Sequence, residues 1–312
     1  MSEIDLVKET FEKQLNKKAL SVYQFENVPN NNVFKIETEL KPYIFKIYSS
    51  PDWPEEGKPL FVNQKLNEYQ IPHPEILIYN LSDKNFPNGY LIEECLPGTS
   101  ADRLTLSLGE TAKIFEKLAV LVSRVHQIKM NNYGYTGSGE PAIWTTFSEC
   151  MADCLDESKG LITHQLAAPG EMDEIRQEIS QRLKICDKYP SVLNHGDLST
   201  KNIIVNSGNI MLIDWDDVHS LCWMAELARL FFWMKLEYGE NLAQIYRKAF
   251  LNNYEMEYGK NDFYKLEDTL LVWYGIDYLG FYVGKPEYEN VKTILRELFC
   301  SSGMKALKCC QA

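Results

Sequence analysis

The stretch "LNHGDLSTKNIIVNSGNIMLIDWDD", Leu193 to Asp217, decides how the rest of the chain is read. It sets Asp197, Asn202 and Asp214 around two short apolar runs. "NIIV" suits a strand, "NSGN" a tight turn and "IMLID" a returning strand, so the segment predicts a hairpin whose two ends meet. Asn202 and Asp214 then converge on one metal ion, and Asp197 faces whatever the bound group reacts with. Carboxylate and amide oxygens in this order suit a hard divalent cation carrying a polyphosphate. Two unrelated turn-capping aspartates would need no such order.

The bulk numbers narrow the classes. A chain of 312 residues is long enough for one large domain or two lobes. It carries 44 Asp plus Glu against 32 Lys plus Arg, a formal net charge of -12. That balance argues against non-specific binding to nucleic acid or to an anionic membrane, and it is compatible with a cationic partner. The eight cysteines show neither metal-type clustering with the five histidines nor the density of a disulfide scaffold. They read as reduced thiols of a cytoplasmic protein. The opening "MSEIDLVKETFEKQLNKKAL" is charged throughout, with no signal peptide, and the chain has no run of about twenty apolar residues.

The first third reads as strands plus one helix. "VFKIETEL" and "YIFKIYSS" alternate apolar and polar residues around Lys41-Pro42, which predicts a hairpin. "PLFVNQKLNEY" suits a short helix ended by "IPHP". "PEILIYN" and "GYLIEECL" read as two further strands. Beyond "LPG" the period becomes helical. Ser107 and Glu110 form a capping box ahead of Ile114, Leu118, Leu121 and Val125. The expectation is an α+β, two-lobed architecture, with a small antiparallel sheet lobe over residues 1–95, a hinge near Glu93 to Gly98, and a larger, mostly helical lobe over residues 96–312.

"HGDLSTKN" followed by "LIDWDD" resembles the aminoglycoside phosphotransferase and choline-kinase-like family, small-molecule relatives of protein kinases, whose own signatures are H-R-D-x-x-x-x-N and D-F-G. "YGYTGSGEPAIWTTFSECMAD" and "AELARLFFW" are similar to the hygromycin-phosphotransferase-like branch. The resemblance implies a protein-kinase-like fold and transfer of a phosphoryl group from ATP, with GTP an open alternative, to a small-molecule hydroxyl with Mg2+ as cofactor. Asp197 would be the catalytic base, Asn202 and Asp214 the magnesium ligands, and His195 a structural residue of the loop. Lys46 would pin the phosphates, and backbone groups of Glu93, Glu94, Cys95 and Leu96 would bind the base. Two features depart from the pattern. "FENVPNNNV", where a phosphate loop should lie, has no glycine, so Asn30 to Asn32 would have to supply left-handed backbone. The helix-borne glutamate that should pair with Lys46 has only Glu55 and Glu56 as nearby candidates.

The acceptor is the least determined part. Asp216, Asp217, Glu149, Asp153, Glu226 and Asp277, with the aromatic Trp233 and Tyr274, are candidate acceptor-binding residues. Together with the net charge they suggest a cationic, aminoglycoside-type acceptor. A metabolic amino alcohol or sugar is the alternative within the class. A non-catalytic nucleotide-binding protein of the same fold is the alternative outside it, although such a protein has no use for Asp197.

Overall fold

The paired strands around Lys41-Pro42 form as their alternation requires. β2 (Asn31–Glu37) and β3 (Tyr43–Tyr48) run antiparallel with Lys46 opposite Val33. The computed structural model describes residues 2–26, 30–139, 141–157, 169–255 and 258–303. With β1 (Ser21–Gln24), β4 (Ile76–Asn80) and β5 (Tyr90–Glu94) the strands make a five-stranded antiparallel sheet of order β1-β2-β3-β5-β4. Phe34, Ile36, Phe45, Tyr90 and Ile92 fill its buried face.

Two helices belong to this sheet unit. α2 (Lys58–Glu68) covers the predicted segment. α1 (Glu3–Leu15) is a helix that the charged opening had hidden, capped by a reciprocal Ser2–Asp5 box. Its short apolar stripe buries Val7 and Phe11 in the sheet core, where Phe11 meets Tyr43 at 5.3 Å between ring centroids. Truncating Phe11 to Ala would cost about 3–5 kcal/mol, the usual scale for an emptied aromatic site.

The chain divides into two units. One comprises Met1–Leu104, Thr136–Glu140 and Thr200–Asp217, and the other Thr105–Tyr135, Pro141–Ser199 and Val218–Ala312. The hairpin segment joins the first because β9 (Ile203–Asn206) pairs with β6 (Thr99–Ser100) on one side and with β10 (Asn209–Leu212) on the other.

The second unit is mainly helical. α3 (Leu108–Val125) starts at the Ser107–Glu110 capping box and buries Ile114, Leu118, Leu121 and Val125. α4 (Phe147–Glu157) and α5 (Pro169–Leu183) follow. β7 (Gly134–Tyr135), β11 (His219–Leu221) and β8 (Val192–Asn194) form a small sheet in that order. α6 (Trp223–Asn253) bends at Gly239, and α7 (Lys260–Tyr282) and α8 (Tyr288–Ser301) complete the unit. No helix among the described residues is long and apolar enough to cross a membrane.

Candidate active site

The β9–β10 hairpin carries the metal-type ligands. Ile203 faces Leu212 across the ladder, and the Ile213 N–H donates to the Asn202 carbonyl at 3.0 Å, so Asn202 and the residues leading to Asp214 lie side by side. Ser207 and Gly208 both take positive φ, 48° and 82°, the geometry of a two-residue type I′ turn. Asp214 also takes positive φ, 62°, which bends the chain as it leaves the strand. Its side chain is 49% exposed, whereas that of Asp216, two residues on, is 14% exposed. An open carboxylate and an amide oxygen suit Mg2+, which keeps several waters and phosphate oxygens in its own shell. The described residues hold no group of three or more His, Cys, Asp or Glu side chains that could hold a metal ion.

Lys46 projects from β3 with only 8% of its side chain exposed. Its Nζ lies 2.8 Å from Asp214 Oδ1 and 2.9 Å from Asp216 Oδ2. Burial alone would push this amine down, but the two carboxylates overcome it and hold its pKa well above the ordinary value. Burial pushes Asp216 up, and Lys46 pulls it back. Glu93 lies on β5, on the sheet face of Lys46, since Lys46 pairs with Leu91 and Ile44 with Glu93. Burial raises its carboxyl to about 7 against the pull of Lys46. Lys46, Glu93, Asp214 and Asp216 line a cavity of about 30 Å³, large enough for one water. The base-binding expectation assigned Glu93 only a backbone role; its side chain belongs to the lysine's surroundings. Glu94 is ion-paired with Lys41, and Cys95 and Leu96 are half-buried. Asn30, in the glycine-free loop, does take left-handed backbone, φ 73°.

In the second unit, Asp197 sits on a loop whose backbone is held by a buried carboxylate. Glu226, near the start of α6, accepts from the His195 N–H at 3.0 Å and from the Gly196 N–H at 2.8 Å. His126, the C-cap of α3, places Nε2 at 2.9 Å from the same carboxylate. A carboxylate only accepts, so that nitrogen carries the proton, and Nδ1 faces the Tyr254 hydroxyl at 2.6 Å. Burial would push Glu226 up, but the hydrogen bond and charge of His126, with His195 and the Gly196 N–H, bring it below its ordinary value. Gly196 has φ 83°, a state that costs a side-chain-bearing residue and that bends the loop toward Glu226. The Asp197 N–H then donates to His195 Nδ1 at 3.2 Å.

The candidate acceptor residues scatter. Glu226 is an interior anchor, and both its oxygens are occupied. Asp216 is taken up by Lys46 and lies within the sheet unit. Tyr274 is buried, its ring edge-on to Trp273 at 4.4 Å. These three are therefore not an acceptor-facing surface. Glu149 is exposed and accepts from Thr145 Oγ1 at 2.9 Å and the Thr146 N–H at 3.1 Å, which starts α4, and Asp153 is exposed one turn on. Asp217 and Trp233 are half-buried. Asp277 is exposed, yet surrounding protein pushes its carboxyl up while Arg229 pulls it back, as expected of a recessed surface position. Neighbouring Tyr278 stacks on Phe232 at 5.2 Å, lies 5.9 Å from the Arg229 guanidinium, and feels the charges of Asp197 and Asp277. Arg229 is not legible as a neighbour of Asp277 from the sequence pattern. The available signal was a lone arginine inside the apolar run "AELARLFFW".

Comparisons with known proteins show the family and the fold. The profile of the APH phosphotransferase enzyme family matches residues 25–259. No protein of curated function matches the chain. Among solved structures, a thermostable mutant of aminoglycoside phosphotransferase APH(4)-Ia, in ternary complex with ADP and hygromycin B, is similar at a TM-score of 0.74 and 13% identity, over 95% of this chain and 99% of that one. A candidate fructosamine-3-kinase from Haemophilus somnus 129PT aligns at 0.65 and 13% identity, over 94% and 96%. APH(2″)-IIa, in a ternary complex with streptomycin and ATP, aligns at 0.60 and 13%, over 95% and 97%. At this identity the likeness is one of fold.

Proposed function

The chain belongs to the phosphotransferase enzyme family, and on that footing we propose that it is a small-molecule kinase that moves the γ-phosphoryl group of ATP, with Mg2+, to a hydroxyl acceptor. The observation that carries this reading is the buried Lys46 held on Asp214, with Asn202 beside it at the end of one hairpin. Asp214 and Asn202 would hold the magnesium ion, whose charge would offset that of the nucleotide phosphates. Lys46 pins phosphate oxygens, and backbone groups of Glu93 to Leu96 bind the base. Asp197 orients the acceptor hydroxyl and takes its proton, and Glu226 fixes the loop that presents it.

The acceptor in this reading is a cationic small molecule of aminoglycoside type. The net charge of -12 and the exposed Asp277 support it, as do the hygromycin B and streptomycin held by the similar enzymes. Arg229 close to Asp277 favours a second acceptor class, an amino alcohol or sugar with few positive charges. Calorimetry of AMP-PNP with and without magnesium, followed by ATP turnover across aminoglycosides, amino alcohols and sugars, tests the proposal. Magnesium-dependent binding with turnover of any of them supports it; binding with no turnover on any acceptor leaves a nucleotide-binding protein, and no binding refutes both.

A further inference from the structure

The resemblance implies a glutamate on the helix after β3 as the partner of Lys46. That helix, α2, has no acidic residue in its first turn. Just ahead of it, Glu55 is ion-paired with Lys58, and at its end Glu68 is ion-paired with Lys65. What reaches Lys46 instead is the turn Trp215–Asp217, directly after Asp214.

The two carboxylates on Lys46 differ in a way that separates their roles. Asp214 is open and Asp216 is enclosed. Asp214 is the carboxylate that would take a divalent ion, and Asp216, enclosed, would stay on Lys46. Once a metal shares the charge of Asp214, Lys46 and Asp216 remain as a neutral pair. Asp216 is also fastened from behind. Lys58, fully buried at the first position of α2, donates to the Asp216 carbonyl at 3.2 Å and sits 4.4 Å from the Trp53 ring centroid. Here the helix contributes a cation that holds the turn's backbone, and the turn contributes the anion.

We propose that Asp216 is the positioning residue for Lys46, keeping its amine aimed at the nucleotide phosphates after Asp214 has turned to the metal. This rests on the kinase reading above. It has a consequence of opposite sign to simple electrostatics. If Asp216 were only a nearby negative charge, neutralising it would strengthen binding of an anionic nucleotide. If it positions Lys46, neutralising it weakens binding.

The test is calorimetry of AMP-PNP with magnesium on wild type, Asp216→Asn, Asp216→Glu, Lys46→Met and the Lys46→Met/Asp216→Asn double variant. Asp216→Asn should weaken binding roughly ten- to a hundredfold, the scale of one lost charge-assisted contact. Asp216→Glu keeps the charge and should bind within a few-fold of wild type. The double variant should bind no worse than Lys46→Met alone, because the aspartate acts only through the lysine. With EDTA in place of magnesium, Asp214 still faces Lys46 and the Asp216→Asn loss should shrink. Wild-type or tighter binding by Asp216→Asn, a Glu variant as weak as the Asn variant, or additive losses in the double variant would overturn the inference. A wild type that does not bind AMP-PNP would instead overturn the kinase reading.

Discussion

Replacing Glu226 with alanine tests whether the loop that carries Asp197 is held from the interior. The substitution strips the acceptor from three donors at once: the His195 N–H, the Gly196 N–H and His126 Nε2. Each buried donor left without a partner costs about 1–3 kcal/mol. The three effects overlap because the donors share one carboxylate, so they do not simply add. The expected destabilisation is therefore about 3–5 kcal/mol, a large part of the ~5–15 kcal/mol that holds a typical domain. Glu226→Gln keeps one oxygen and should lose roughly half as much. Urea unfolding followed by tryptophan fluorescence reads both. The pH dependence has a definite sign. The folded carboxyl lies below its ordinary 4.5, so its contribution is complete above that value and is lost as pH falls through the lower, folded one. Glu226→Gln should flatten that acid limb. An alanine variant within about 1 kcal/mol of wild type would refute the reasoning, since no set of three stranded buried donors is that cheap.

Other outcomes follow from the division of roles. Asp214→Ala should abolish magnesium-dependent nucleotide binding, while Asp197→Asn should leave it near wild type and lower turnover at least ~10²-fold; equal losses of affinity in calorimetry would undo the assignment. Lys46→Met should raise the ATP concentration needed for half-maximal rate roughly tenfold or more, and an unchanged ATP dependence would mean another cation binds the phosphates. Acceptor affinity should fall as salt rises, because charges across water are screened within about 8 Å at physiological ionic strength, and Asp277→Asn should weaken it further. A best acceptor indifferent to both would remove the aminoglycoside-type reading.

What was legible in the sequence was whatever a local pattern encodes. Strand alternation gave β2 and β3, the Ser107–Glu110 box gave the start of α3, and the polar turn "NSGN" gave the hairpin that brings Asn202 toward Asp214. α1 was hidden because its apolar stripe is short and charges surround it, although Val7, Thr10 and Phe11 already had helical spacing. The partner of Lys46 was hidden for another reason. Asp216 lies 170 positions away in sequence, so no periodicity could point to it. Glu226 reads as an acceptor-binding carboxylate when its position in an otherwise apolar helix is weighed as charge and not as burial. Its three partners show that an acid inside "WMAELARLFFW" belongs to the interior, where it must be paired to be tolerated.

That last point changes the weight of the net charge. A formal -12 describes the whole chain, whereas an acceptor responds to the field within a few ångströms of its binding surface. Of the carboxylates that suggested a polycation, Glu226 is spent on a loop, Asp216 on a lysine and Glu149 on the start of a helix. Asp153 is exposed on α4, Asp217 is half-buried, and Asp277 lies on α7, where Arg229 offsets its charge beside Tyr278. Arg229 lies over the Tyr278 ring at 5.9 Å and Asp277 adds the opposite charge, a mixed field that would favour an acceptor carrying few charges over a polyamine. If this face meets the acceptor, the number of positive charges on the acceptor is the variable that separates a singly charged amino alcohol or sugar from an aminoglycoside.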